Sequence, residues 1–265
     1  MKKLSVRFAL PIVVVLLAGC ATVEDVRRAS DLIRTDNELT RLLVEVRPQD
    51  QAGSAIYLSG LATQAKDDAD ALKDEKGKES DAIAYYRIAA TAYWRSGNPE
   101  VVNALFEVSN TGTDLCAKLG DQAPDRDCLF LRLVIPFAGL EANANGKGLS
   151  GLLASVDFND RDETVREIDT MKEIGASLSQ SKTLVEKIFA VGKDDRLISH
   201  PGMREYYCIN AKNAFRYYDS TAGIFVTKVN EFHQTITDNN PALGIDVATA
   251  RQMRKLDPGV PEYCR

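Results

Sequence analysis

The sequence predicts an all-α protein whose helices pair into hairpins, stacked as a repeat or gathered into an irregular bundle. Three observations carry this expectation. Apolar residues recur every three or four positions over most of the 265-residue chain, the period of a helix that buries one face. The strict apolar–polar alternation of a half-buried strand is absent. Turn residues, among them Pro48, Ser96-Gly97-Asn98 and the stretch 143–148, punctuate the chain at intervals of helix length.

Residues 1–20 read differently from the rest. Lys2, Lys3 and Arg7 precede an apolar run over 8–17, which ends in Leu17-Ala18-Gly19-Cys20. Ten apolar residues fall short of the roughly 20 needed to cross a hydrocarbon core, so the segment reads as a cleaved secretory signal. Its last four residues resemble the lipobox of bacterial lipoproteins. That resemblance implies cleavage after residue 19, a diacylglycerol thioether on Cys20 and acylation of the new N-terminus. Several acyl chains, at about 0.8 kcal/mol per buried methylene, make such an anchor effectively permanent. Ala21 stands where inner-membrane lipoproteins of enteric bacteria commonly carry Asp, so the implied location is the outer membrane, lipid-anchored and facing the periplasm.

Removing residues 1–19 leaves 246 residues, enough for one large core or two small ones. The loss of Lys2, Lys3 and Arg7 leaves 30 basic against 38 acidic side chains, a charge of −8. A body so charged is repelled by anionic lipid and by nucleic acid, and neither is an expected ligand. Cys116, Cys128, Cys208 and Cys264 are even in number and read as disulfides in an exported chain. Of the three connectivities, Cys116 with Cys128 and Cys208 with Cys264 is preferred, closing one short loop and pinning the tail. With no CxxC and few histidines, no metal is expected.

Helices are expected over 22–46, with a break near Asp36-Asn37, and over 54–73. The next runs from Ser80, as its cap, to Arg95, and after the turn Pro99 opens a helix to about residue 109. Within this pair Tyr86, Ala90, Tyr93, Val102, Phe106 and Ser109 resemble the spacing of a tetratricopeptide repeat, although Val102 and Ser109 replace the usual alanines. The resemblance covers about 34 residues, and an alanine-rich hairpin of any origin produces the same pattern. Short helices over 113–119, 128–138 and 149–156 follow, interrupted by Pro124, Pro136 and the 143–148 linker. That linker divides a helical, repeat-like part over 20–145 from a part over 146–265. The latter is expected to be a long antiparallel hairpin, 162–191 against 199–235, with a last helix over 245–256 and a pinned tail.

Catalytic signatures are lacking. His200 and His233 form no Ser-His-Asp arrangement and no HExxH run, and Asp194, Asp195 and His200 have metal-ligand types without the spacing. Asp157, Asn159, Asp160, Asp162 and Glu163 read as a helix cap out of register for calcium. Gly146-Lys147-Gly148 lacks the rest of a phosphate loop, and Glu141 and Glu205 lack the setting of a cell-wall hydrolase. No enzyme activity and no cofactor are expected. The doublets Tyr85-Tyr86, Tyr206-Tyr207 and Tyr217-Tyr218 should each send one ring inward and leave its neighbour partly exposed, since adjacent helical residues lie about 100° apart. A concave surface carrying Tyr85, Arg87, Trp94, Arg216 and Tyr217 is the expected site for an envelope-protein partner. The function implied is a lipid-anchored periplasmic interaction protein; the alternative is a repeat-type solute-binding lipoprotein, which needs an enclosed pocket.

Overall fold

Helices dominate the computed structural model, which describes residues 23–45, 51–146, 149–199, 201–236, 241–257 and 259–265. Among these residues there are ten α-helices and no strand. They are α1 (Val23–Glu45), α2 (Gln51–Leu72), α3 (Glu79–Ser96), α4 (Val102–Leu119), α5 (Asp125–Gly146), α6 (Leu149–Ser155), α7 (Arg161–Val191), α8 (Asp195–Ser199), α9 (Pro201–Thr235) and α10 (Val247–Arg254). None of the described helices is long and apolar enough to cross a membrane. The lipobox with Cys20, together with His200 and Pro258, lies outside the described residues.

The chain builds two hydrophobic cores. In the first, α3 is the hub. Ala82, Ala89, Ala90 and Ala92 are fully buried, and side chains this small let α1, α2, α4 and α5 all approach it closely. Asp70 of α2 ties this packing together. It accepts hydrogen bonds from Tyr86 Oη at 2.7 Å, Lys66 at 2.8 Å and Lys73 at 2.9 Å.

The second core is an antiparallel hairpin of α7 and α9. Tyr207 Oη donates to the Ile188 carbonyl at 3.2 Å near the turn, the Phe225 ring lies against Gly175 midway, and Phe232 meets Phe158 edge-on, with centroids 5.5 Å apart, at the far end. Asp160 caps α7, its Oδ1 accepting from the backbone N–H of Asp162 at 2.8 Å and of Glu163 at 3.1 Å, which is the capping role expected of that acidic loop. His233 is tied down rather than solvent-facing, its Nε2 lying 2.8 Å from the Ile245 carbonyl.

Helix α5 belongs to both cores. Cys128, Leu131, Val134 and Ala138 enter the first, while Leu129, Leu133, Phe137 and Leu140 enter the second. The two sets interleave at three- and four-residue steps, so they occupy two faces of one helix.

Three expected breaks do not occur. Helix α1 runs through Asp36-Asn37, because Asp36 is spent on an ion pair with Arg87 at 2.6 Å rather than on capping. Helix α4 is continuous from 102 to 119. Its Gly112 sits against Leu131 and Tyr86, where a Cβ would come within 2.7 Å of the leucine, so the glycine serves close helix packing. Helix α5 passes through Pro136 and on to Gly146, so the stretch 143–146 of the expected linker is helix. A proline inside a helix costs about 3 kcal/mol, and burial of Leu133 and Phe137, each worth about 1.5–3 kcal/mol, offsets it. Ser80 does not cap α3, which starts one residue earlier, and Glu79 accepts from the Gly77 N–H at 2.7 Å.

Both disulfides close as preferred: Cys116 to Cys128 with Cα atoms 5.8 Å apart, and Cys208 to Cys264 with Cα atoms 5.2 Å apart. The tail pinned by the second is also held by polar contacts. Tyr263 Oη donates to the Gly192 carbonyl at 2.6 Å, Tyr218 Oη donates to the Met253 carbonyl at 2.7 Å, and Arg254 grips Asp219 through two bonds of 2.6 and 2.7 Å.

Gly192 is where this docking leaves no room. A Cβ there would stand 2.3 Å from Tyr207 Oη and 2.6 Å from Pro261 Cγ, although its backbone is ordinary right-handed helix at φ −62°. Gly192→Ala should therefore cost about 1–3 kcal/mol in urea unfolding. Gly60→Ala, at a helical position with nothing within 4 Å of the new carbon, should instead stabilise by about 0.5–1 kcal/mol.

Candidate functional site

The seam between the two cores is aromatic. Trp94, near the C-terminal end of α3, stacks on Phe137 of α5 with centroids 6.2 Å apart and planes at 4°, and leans on Phe130 at 6.4 Å. Phe130 continues the row to Tyr206 of α9 at 6.4 Å. Trp94 and Phe130 each pack against both cores, which makes this row the contact between them. The indole N–H of Trp94 donates to Glu141 Oε2 at 2.5 Å, so the one tryptophan of the chain has its polar edge satisfied at the surface.

Trp94 and Glu141 form a wall with a groove on either side. The larger holds about 370 Å³ between the end of α3, the turn with its 3-10 segment (Pro99–Val101), the start of α4 and the C-terminal part of α5. Tyr93, Val102, Leu105, Phe106 and Ala138 make it apolar, and Asn98 and Glu141 give it a polar rim. The turn is rigid. Gly97 adopts φ 62°, and the Asn98 side chain accepts from the Glu100 N–H at 3.0 Å. The smaller groove, about 250 Å³, lies between α3, α5 and α9, where Asn210, Asn213 and Tyr217 face Trp94, Leu140 and Glu141. The Tyr217 hydroxyl is buried and has no hydrogen-bond partner among the described residues. Burial pushes its pKa up, and the same holds for Tyr206.

The five expected partner-site residues do not share one surface. Trp94 and Tyr217 do meet across the smaller groove, and Arg216 is exposed beside Tyr217 on α9. Tyr85 is 4 % exposed and belongs to the first core, against the expectation that one ring of each doublet stays outside. Both Tyr85 and Tyr86 are covered because α3 is surrounded by helices. The other two doublets behave as expected, with Tyr207 and Tyr218 buried and Tyr206 and Tyr217 half-buried.

Arg87 is also internal to the structure. Its guanidinium bridges Asp36 of α1 at 2.6 Å and Asp127 of α5 at 2.7 Å, joining three helices. Burial pushes the Asp127 carboxyl up and outweighs the opposing pull of Arg87. A guanidinium spent in this way is a clamp, not a docking group.

The residues considered for chemistry are dispersed or engaged. Glu205 is exposed on α9, and Glu141 holds the Trp94 indole. Lys147 and Gly148 lie outside the described residues, as does His200. No group of three or more His, Cys, Asp or Glu side chains among the described residues is placed to hold a metal ion. Phe130, Phe137 and the 97–102 turn were not legible as site residues. They meet Trp94 only through the packing of helices distant in sequence, and the lone tryptophan next to a Gly-Asn-Pro turn was the one signal available.

No family model matches the chain, and neither a curated protein nor a solved structure does.

Asp194, placed after α7, is held by Arg196 at 3.1 Å and by Arg132. Burial alone would raise its pKa, but the hydrogen bonds from these two arginines win and lower it to about 2. A carboxyl lowered in the folded state contributes stability that is complete above its ordinary value near 4 and is lost as pH falls toward 2. Asp194→Asn should be less stable than the parent at pH 7, and the difference should shrink between pH 4 and pH 2 in denaturant titrations.

Proposed function

We propose that this is a lipid-anchored protein of the bacterial cell envelope, tethered through Cys20 to the periplasm-facing leaflet of the outer membrane, whose helical body binds a protein partner. The lipobox-like Leu17-Ala18-Gly19-Cys20 supports the anchor. The body's role is supported by the 370 Å³ apolar groove beside Trp94, which is rigidly framed and open to solvent. An aromatic anchor in a preformed groove is the kind of centre on which protein interfaces depend. Glu141 at the rim and the −8 charge of the mature body favour a partner that presents apolar side chains flanked by basic ones. Assembly factor, secretion accessory and immunity protein are the envelope roles that fit such a module. A solute-binding role would call for an enclosed pocket, and the open groove supports it less.

The test takes the anchor and the groove together. Cys20→Ser should abolish palmitate labelling and release the chain from membranes. A photo-reactive residue at Val102, on the groove wall, should give a discrete adduct in intact envelopes, and one at Glu173 on α7 should not. Ala142→Glu, at an exposed rim position, should weaken the Val102 adduct about fivefold or more, which corresponds to roughly 1 kcal/mol of binding. Adducts of equal yield at both positions, or none at Val102, would remove the groove from the proposal.

A further inference from the structure

One helix face remains uncovered by the rest of the body. Thr35, Leu39 and Leu42 turn α1 inward onto α2 and α3, while the opposite side leaves Val23 89 %, Val26 62 % and Ile33 61 % exposed. Beside this apolar line runs a basic one. Val26-Arg27, Ile33-Arg34 and Thr40-Arg41 repeat at seven-residue spacing, and an α-helix drifts only about 20° per heptad, so the three arginines form a row. Arg27 has no ion pair among the described residues, whereas Arg34 holds Asp31 at 3.2 Å and Arg41 holds Glu38 at 2.6 Å. Both of those pairs are exposed and within one helix, worth under about 1 kcal/mol, so a stronger anion can replace the acid.

We infer that α1 lies lengthwise on a phospholipid leaflet, with Val23, Val26 and Ile33 at the boundary of headgroups and acyl chains and Arg27, Arg34 and Arg41 on lipid phosphates. The inference rests on acylation of Cys20. Val23 follows Cys20 by three residue steps, and the chain reaches about 11 Å at most over that span, so an acylated Cys20 holds the start of α1 at the leaflet. Standing upright, α1 would keep Val26 and Ile33 in water. Lying flat buries them and brings the arginine row to phosphate, the arrangement of an interfacial amphipathic helix. The arginine row sets positive groups against the lipid phosphates, and the heptad of acids beside it, Glu24, Asp31 and Glu38, faces away from the apolar line.

The experiment uses the acylated protein in vesicles of phosphatidylethanolamine and phosphatidylglycerol. Ser30→Cys, on the outer face of α1, carries a fluorophore; Glu173→Cys on α7 is the control, and both positions are exposed. Nitroxide-bearing lipids should quench most of the emission at residue 30 and little at residue 173. The triple variant Arg27→Glu, Arg34→Glu, Arg41→Glu should lose that quenching and still pellet with the vesicles through its acyl chains. Pelleting with equal quenching at the two positions would overturn this inference and leave the anchor intact. Failure to pellet would overturn the anchor and the inference together. Excimer formation between two chains labelled at residue 30, without lipid quenching, would assign the face to a second copy and overturn the inference as well.

Discussion

The structure depends on one helix being apolar on two faces. α5 inserts Cys128, Leu131, Val134 and Ala138 into one core and Leu129, Leu133, Phe137 and Leu140 into the other. Neither the alanine-rich N-terminal helices nor the α7–α9 hairpin could cover its own apolar side without it. The same requirement explains why Pro136 is tolerated. The lost hydrogen bond is local, whereas breaking the helix there would expose apolar surface in both cores at once.

The grooves follow from this arrangement. Where two cores share a helix, the elements on either side diverge past its C-terminal part, and the gap fills with whatever rings are within reach. Trp94, Phe137, Phe130 and Tyr206 fill it as a row, and the space left on either side of Trp94 makes the two grooves. The wall is stacked, hydrogen-bonded to Glu141 and packed against both cores.

The polar clamps share a design. Arg87 joins α1, α3 and α5 through Asp36 and Asp127, Asp70 gathers Lys66, Lys73 and Tyr86, and Asp194 gathers Arg132 and Arg196. Arg87 with its two acids and Arg132 with Asp194 join charges from distant parts of the chain, whereas Asp70 and Asp194 also hold lysines or an arginine close in sequence. They orient helices more than they add net stability. The outer face of α1 sets exposed Val23, Val26 and Ile33 beside an arginine row, a chemistry unlike that of the Trp94 grooves.

Period, turn chemistry and cysteine spacing determined much in advance: the all-α class, most helix positions, a cap within the acidic loop 157–163 and the preferred cysteine pairs. These are local properties, set by dihedral preference and by short loops that limit which partners can meet. Tertiary packing alone decided the rest. Tyr85 is buried because four helices surround α3, and Gly112 packs where a turn residue would otherwise be read. Arg87 faces acids at positions 36 and 127, and Trp94 meets Glu141 from 47 residues away. One-dimensional periodicity reports which side of a helix is apolar, but not how many neighbours will cover it, and the grooves beside Trp94 lie where that number changes.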